Sequence, residues 1–127
     1  MMRKVLIVDD DNRFRVLLRR LLEKKFRMQV FEAGNGIEGI ELYQREAPKL
    51  IILDISMPYM NGVEYLVKIR QEHEDLSTPV VVLTNFSNKD AIEKIIKLGI
   101  TDYVVKADYV LGLAERINDI LIKEKIF

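Results

Sequence analysis

Residues 4–12 read KVLIVDDDN, in which four apolar side chains, Val5 to Val8, run directly into three adjacent carboxylates, Asp9, Asp10 and Asp11. A single Asp suffices to start a helix, because its side chain caps free backbone N–H groups. Two more beside it repel one another and need a reason. A bound hard cation, which seeks oxygen ligands, supplies one. The apolar run ahead of the cluster has the character of a strand covered on both faces. The carboxylates therefore stand where a buried strand meets solvent.

Outward from this stretch, two periods alternate. Runs rich in Val and Ile recur at 50–53, 80–83 and 103–105, with a more polar one at 28–32. Between them lie stripes of helical spacing: Phe14, Leu17, Leu18, Leu21 and Leu22; then Val63, Leu66 and Ile69; then Ile92, Ile95 and Ile96, closed by Gly99 as a C-cap. Val110, Leu113, Ala114, Ile117 and Leu121 form the last. Five strands alternating with five helices predict one α/β domain over residues 1–127 with a parallel sheet. LIVD, LIIL and VVVL are apolar throughout and suit central strands, whereas MQVFE alternates and suits an edge. The expected architecture is a doubly wound, flavodoxin-like sheet of order 2-1-3-4-5, with the first and third strands adjacent at the switch point.

The totals narrow the function classes. The 127 residues hold twenty basic and twenty acidic side chains, so no net field favours nucleic acid or an anionic membrane. The absence of cysteine excludes disulfides, thiolate metal sites and a thiol nucleophile. The opening Met-Met-Arg-Lys is basic, but the apolar run behind it is too short for a signal-peptide core. No stretch approaches transmembrane length. A cytoplasmic protein without a membrane or direct nucleic-acid partner is expected.

In such a sheet, ligands bind beyond the carboxyl ends of the strands, so the residue ending each run carries the information. The first run ends in Asp9 and Asp10, the third in Asp54 within LIILDISMPYMNG, the fourth in Thr84 within VVVLTNFSN, and the fifth in Lys106 within DYVVKAD. Adjacent strands lie about 5 Å apart, so carboxylates ending the first and third can share one ion such as Mg²⁺. Thr84 and Lys106 then approach Asp54 from its other side. A lysine and a hydroxyl suit the oxygens of a phosphoryl group in transfer, with Asp54 as the nucleophile that accepts it. No Ser/His/Asp triad competes, since the chain's one histidine, His73, lies in QEHED.

These four segments, in this order and spacing, resemble the receiver domain of two-component response regulators across essentially the whole chain. The resemblance implies a five-stranded parallel sheet flanked by five helices. It makes Asp54 the phospho-accepting residue, and it makes Asp9 and Asp10 the acidic pair around Mg²⁺, with Asp54 and the backbone carbonyl of Ser56 completing the protein ligands. By the same resemblance, Lys106 contacts the phosphoryl group, Thr84 moves onto it, and the rotamer of Tyr103 follows Thr84. The donor would be the phosphohistidine of a sensor histidine kinase or histidine phosphotransfer protein. The output would pass through the face built from the fourth helix, fifth strand and fifth helix. With no output domain after Phe127, a stand-alone receiver is expected.

Plainer readings compete at several positions. Asp10 or Asp11 can serve as helix cap, and Tyr103 on a strand is by default a packing residue. GNGIEG at 34–39 matches the dinucleotide-binding pattern, but it follows the edge strand rather than the first, and Asn35 or Gly36 opens the second helix instead. Arg13, Arg15, Arg19, Arg20, Lys24, Lys25 and Arg27 crowd the first helix region against the single acid Glu23; this is a solvated face or a surface for the phosphodonor. His73 is expected at the surface near the end of the third helix. Three positions depart from the family pattern. Ala107 follows Lys106 where proline after a cis bond is usual, and Asn85 follows Thr84 where a small residue is usual. Ser56 and Phe86 occupy positions that tune hydrolysis of the aspartyl phosphate, and neither can orient a water; slow self-dephosphorylation is expected. Two rivals are a receiver-fold binding module not switched by phosphate, and an Mg²⁺ phosphohydrolase. The latter wants a second carboxylate two residues after Asp54, where Ser56 stands.

Overall fold

A computed structural model describes residues 2–57, 60–84, 89–106 and 109–127, with side chains at all of these except 84, 91 and 109–111. Strands β1 (Lys4–Val8), β2 (Gln29–Ala33), β3 (Leu50–Asp54), β4 (Val80–Thr84) and β5 (Asp102–Val105) alternate with helices α1 (Asn12–Phe26), α2 (Gly36–Glu46), α3 (Gly62–Val67), α4 (Lys89–Leu98) and α5 (Tyr109–Lys123). All strand pairs are parallel, in the order β2-β1-β3-β4-β5. The more polar strand is an edge, as its alternation predicts. It begins one residue later than the pattern suggested, because the Met28 N–H bonds Leu22 O rather than joining the ladder.

Strand alternation sorts the apolar residues into two layers. Val5, Ile7, Leu50 and Ile52 face Phe14, Leu18 and Leu22 of α1 and Leu113 and Ile117 of α5. Leu6, Val8, Ile51 and Leu53 face Tyr65 and Leu66 of α3 and Ile95 of α4. With both faces covered, residues 5–8, 50–54 and 80–83 are buried throughout.

The helix ends explain the local sequence. Asp11 caps α1, accepting from the backbone N–H groups of Arg13 and Phe14, which frees Asp9 and Asp10 for another purpose. Asn35 caps α2 through the Glu38 N–H. Asn61 and Glu64 form a reciprocal capping box at α3. α3 continues as a π-helical turn, Lys68–Glu72, which carries the buried Arg70; its guanidinium donates to the carbonyls of Gly99, Asp75 and Thr78. GNGIEG serves packing. A Cβ on Gly36 would lie 2.7 Å from the Met60 side chain, and one on Gly39 would lie 2.8 Å from Tyr65 and 3.0 Å from Val8. No helix among the described residues is long and apolar enough to cross a membrane.

Candidate functional site

The register of β1 and β3 builds the site. Val8 pairs with Leu53, so the next residue on each strand, Asp9 and Asp54, stands beside the other at the sheet's carboxyl end. One carboxylate oxygen each from Asp9, Asp10 and Asp54 lies within 4.8 Å of the others. Asp9 and Asp54 are buried and Asp10 is exposed. The opening to solvent is thus on the Asp10 side.

Asp9 is held at every polar atom. Its N–H donates to Ala33 O at 3.0 Å, its carbonyl accepts from Arg15, and its Oδ1 accepts the Asp11 N–H at 2.9 Å. Oδ2 is fully buried and ion-paired with the Lys106 ammonium at 2.8 Å. That one ammonium faces the clustered carboxylates of Asp9, Asp10 and Asp54, so negative charge is left over, and a divalent ion among these oxygens would balance it. The donor set, all carboxylate, suits Mg²⁺.

Asp54 sits at the end of β3 with its Oδ1 accepting the Ser56 N–H at 3.1 Å. Burial and the adjacent charge of Asp9 push its carboxyl up to about 7, against the pull of the Ser56 N–H and Lys106. The loop behind it is tight. Gly62 donates its N–H to Ile55 O, and a Cβ at Gly62 would lie 2.6 Å from both Asp54 O and Ile55 Cα. Any larger residue at 62 would clash with the backbone of Asp54 and Ile55.

Lys106 follows β5 and reaches over the end of β4, its side chain only 7 % exposed. Its Nζ lies 3.6 Å from Asp54 Oδ2, farther than from Asp9, and 4.8 Å from the centre of the Phe14 ring. Burial alone would lower its pKa, but Asp9 and Asp54 outweigh that and raise it, so the group is a stable ammonium. Expected beside Asp54, the lysine is shared, and leans to Asp9. Thr84 ends β4 opposite Val105, on the Asp54 side of Lys106. The Thr84 side chain, Asn85, Phe86 and Ala107 lie outside the described residues, and with them the geometry of the Lys106–Ala107 bond. Tyr103 projects from edge strand β5 and is 38 % exposed. The Ser56 side chain is exposed.

His73 lies just past the π-helical turn that extends α3, partly exposed, and its ring meets that of Tyr43 edge-on at 5.4 Å. One expectation changes. The basic face of α1 is not answered by Glu23 alone, because Glu32 of β2 receives both Arg15, at 3.1 Å, and Arg19, at 2.7 Å. Glu32 was passed over because it lies on another element, and sequence spacing shows only partners on the same helix.

The sequence profile described as the response regulator receiver domain matches residues 5–118. The chain belongs to that family. It is 32 % identical over 121 residues to the chemotaxis protein CheY of Halobacterium salinarum, covering 95 % of this chain and 98 % of that protein. It is also 32 % identical over 103 residues to the sporulation initiation phosphotransferase F of Bacillus subtilis, covering 81 % of each. A crystal structure of the chemotaxis protein CheY4 of Vibrio cholerae superposes with a TM-score of 0.82 at 27 % identity, covering 97 % of this chain and 98 % of that one. The chain is therefore a receiver domain of the two-component type, a signalling phosphoacceptor rather than a conventional enzyme. Receiver domains bind Mg²⁺ at an acidic pocket and take phosphate from histidine kinases or phosphotransfer proteins. The Asp9, Asp10 and Asp54 cluster is such a pocket in composition.

Proposed function

We propose that residues 1–127 act as one receiver unit that accepts a phosphoryl group on Asp54 from the phosphohistidine of a sensor histidine kinase or histidine phosphotransfer protein. A carboxylate oxygen of Asp54 attacks phosphorus; the P–N bond breaks, and its electron pair returns to the imidazole, which takes up a proton. Mg²⁺, held by Asp9, Asp10, Asp54 and the backbone carbonyl of Ser56, would neutralise phosphoryl oxygens during the transfer. Lys106 is the second cation, and its move from Asp9 toward the phosphoryl group spans little distance. Thr84 then closes on the modified Asp54, Tyr103 follows, and the face of α4, β5 and α5 changes its affinity for an output partner. The basic outer face of α1 is the surface offered to the donor. With Ser56 at the position that would orient water, self-dephosphorylation is slow; decay of the phosphorylated form within seconds would contradict this.

The observation that carries the reading is the convergence of Asp9, Asp10 and Asp54, one carboxylate oxygen of each within 4.8 Å of the others, with the ammonium of Lys106 shared between Asp9 and Asp54. Calorimetric titration tests it: the wild type takes up one Mg²⁺, and Asp9→Asn or Asp10→Asn each weakens binding at least about tenfold. Variants that bind Mg²⁺ as the wild type does would remove the acidic pair from the site.

A further inference from the structure

Of the polar atoms of Asp9, only Oδ2 is left to face the cluster, and the group that fixes its carbonyl is Arg15. This guanidinium spans three segments. Nη1 donates to Asp9 O, Nη2 to Asn12 Oδ1 at 3.0 Å, and Nε to Glu32 Oε1 at 3.1 Å. The Arg15 side chain is 15 % exposed, and it packs by Gly34, where a Cβ would stand 3.4 Å from Nη1. Glu32 is itself anchored by Arg19. The carbonyl of Asp9 belongs to the peptide joining Asp9 to Asp10. Whatever holds that peptide plane sets the direction in which both carboxylates leave the backbone.

We infer that Arg15 is a positioning residue for the metal-binding loop: anchored on Glu32, it holds the Asp9–Asp10 peptide so that the two carboxylates converge. This rests on the Mg²⁺ reading above. A plain tie between α1 and β2 would look different, and the molecule contains one for comparison. Arg19 shares the same acid and is 44 % exposed, and its partners among the described residues are Glu32 and Glu23 rather than the loop. Outer partners that orient metal ligands typically contribute tenfold or more in affinity. Lysine keeps the charge but cannot reproduce a planar fork spanning three acceptors.

The test compares wild type, Arg15→Lys, Arg15→Met and Arg19→Met, each checked for its thermal transition. Two quantities are read: the Mg²⁺ dissociation constant by calorimetry, and the Mg²⁺ dependence of phosphorylation by acetyl phosphate. Arg15→Lys should bind Mg²⁺ about tenfold more weakly, with half-saturation shifted equally and the rate at saturating Mg²⁺ within twofold of wild type. Arg15→Met should bind no more tightly than Arg15→Lys, although losing a positive charge favours a cation. Arg19→Met should match wild type within twofold. The inference is overturned if Arg15→Lys binds like wild type, if Arg15→Met binds more tightly than wild type, or if Arg19→Met is weakened as much. A wild type that takes up no Mg²⁺ would instead defeat the metal reading on which the inference stands. Having two Arg15 variants keeps the test decisive if one fails to fold.

Discussion

Two ends of one sheet treat their carboxylates in opposite ways. At the amino end, in the segment leading into β4, Asp75 accepts from the Tyr43 hydroxyl at 2.6 Å, from both the N–H and hydroxyl of Ser77, and from both the N–H and hydroxyl of Thr78. Burial works against its charge, yet the hydrogen bonds from Thr78, Tyr43 and Ser77 outweigh burial and hold the carboxyl well below the usual range. At the carboxyl end, Asp54 has one backbone N–H and an ammonium at 3.6 Å that it shares with Asp9, so two buried carboxylates are answered by one cation. The first arrangement stabilises the fold; the second leaves free energy for a ligand to recover. Buried carboxylates with unbalanced charge and a perturbed pKa are the mark of a site poised for a cation.

The largest effect on stability should come from the satisfied end. Asp75→Ala strands donors from Tyr43, Ser77 and Thr78, and should cost about 2–3 kcal/mol in urea denaturation, while Mg²⁺ affinity stays within twofold of wild type. A coupled loss of metal binding would contradict the separation of the two ends.

Next is Asp54→Asn. Because the folded pKa of Asp54 lies above its ordinary value of 3.8, the folded state favours the protonated form. The resulting stabilisation is full below that ordinary value and is lost as pH rises toward about 7. Asn mimics the neutral acid. In metal-free buffer it should leave stability nearly unchanged at pH 4 and raise it by at least about 2 kcal/mol at pH 8. Thermal melts at the two pH values, with and without Mg²⁺, check this; saturating Mg²⁺ should stabilise the wild type and not the variant. Asp75 has the reverse sign: its contribution is present above the ordinary carboxylate pKa and is lost only as pH falls below it, toward its depressed folded value.

Tyr43→Phe is the mildest perturbation. It removes one donor to Asp75 but keeps the ring against His73, and should cost about 1 kcal/mol with no change in Mg²⁺ affinity.

The same comparison shows what a sequence makes legible. Asp9, Asp54, Thr84 and Lys106 could be found because each terminates an apolar run, and parallel register carries run ends to one edge. The Asp75 network could not. Its members Tyr43, Asp75 and Thr78 sit on a helix and a loop whose relation is fixed only by tertiary packing. The contact of His73 with Tyr43 was hidden for the same reason, the two lying thirty residues apart in the sequence. The tilt of Lys106 toward Asp9, at 2.8 Å against 3.6 Å to Asp54, depends on side-chain reach, which no spacing encodes. The pairing of Arg15 with Glu32 needs the α1–β2 contact to be known first.

The central claim is that Asp54 accepts a phosphoryl group in a metal-dependent way. Intact mass after incubation with acetyl phosphate, with and without Mg²⁺, on wild type and Asp54→Asn, tests it most directly. The account predicts one phosphoryl adduct that appears only with Mg²⁺ and is absent from Asp54→Asn. An adduct of equal yield on Asp54→Asn, or no adduct on a wild type that binds Mg²⁺ and is also offered a phosphohistidine donor, would contradict it and favour a binding module that phosphorylation does not switch.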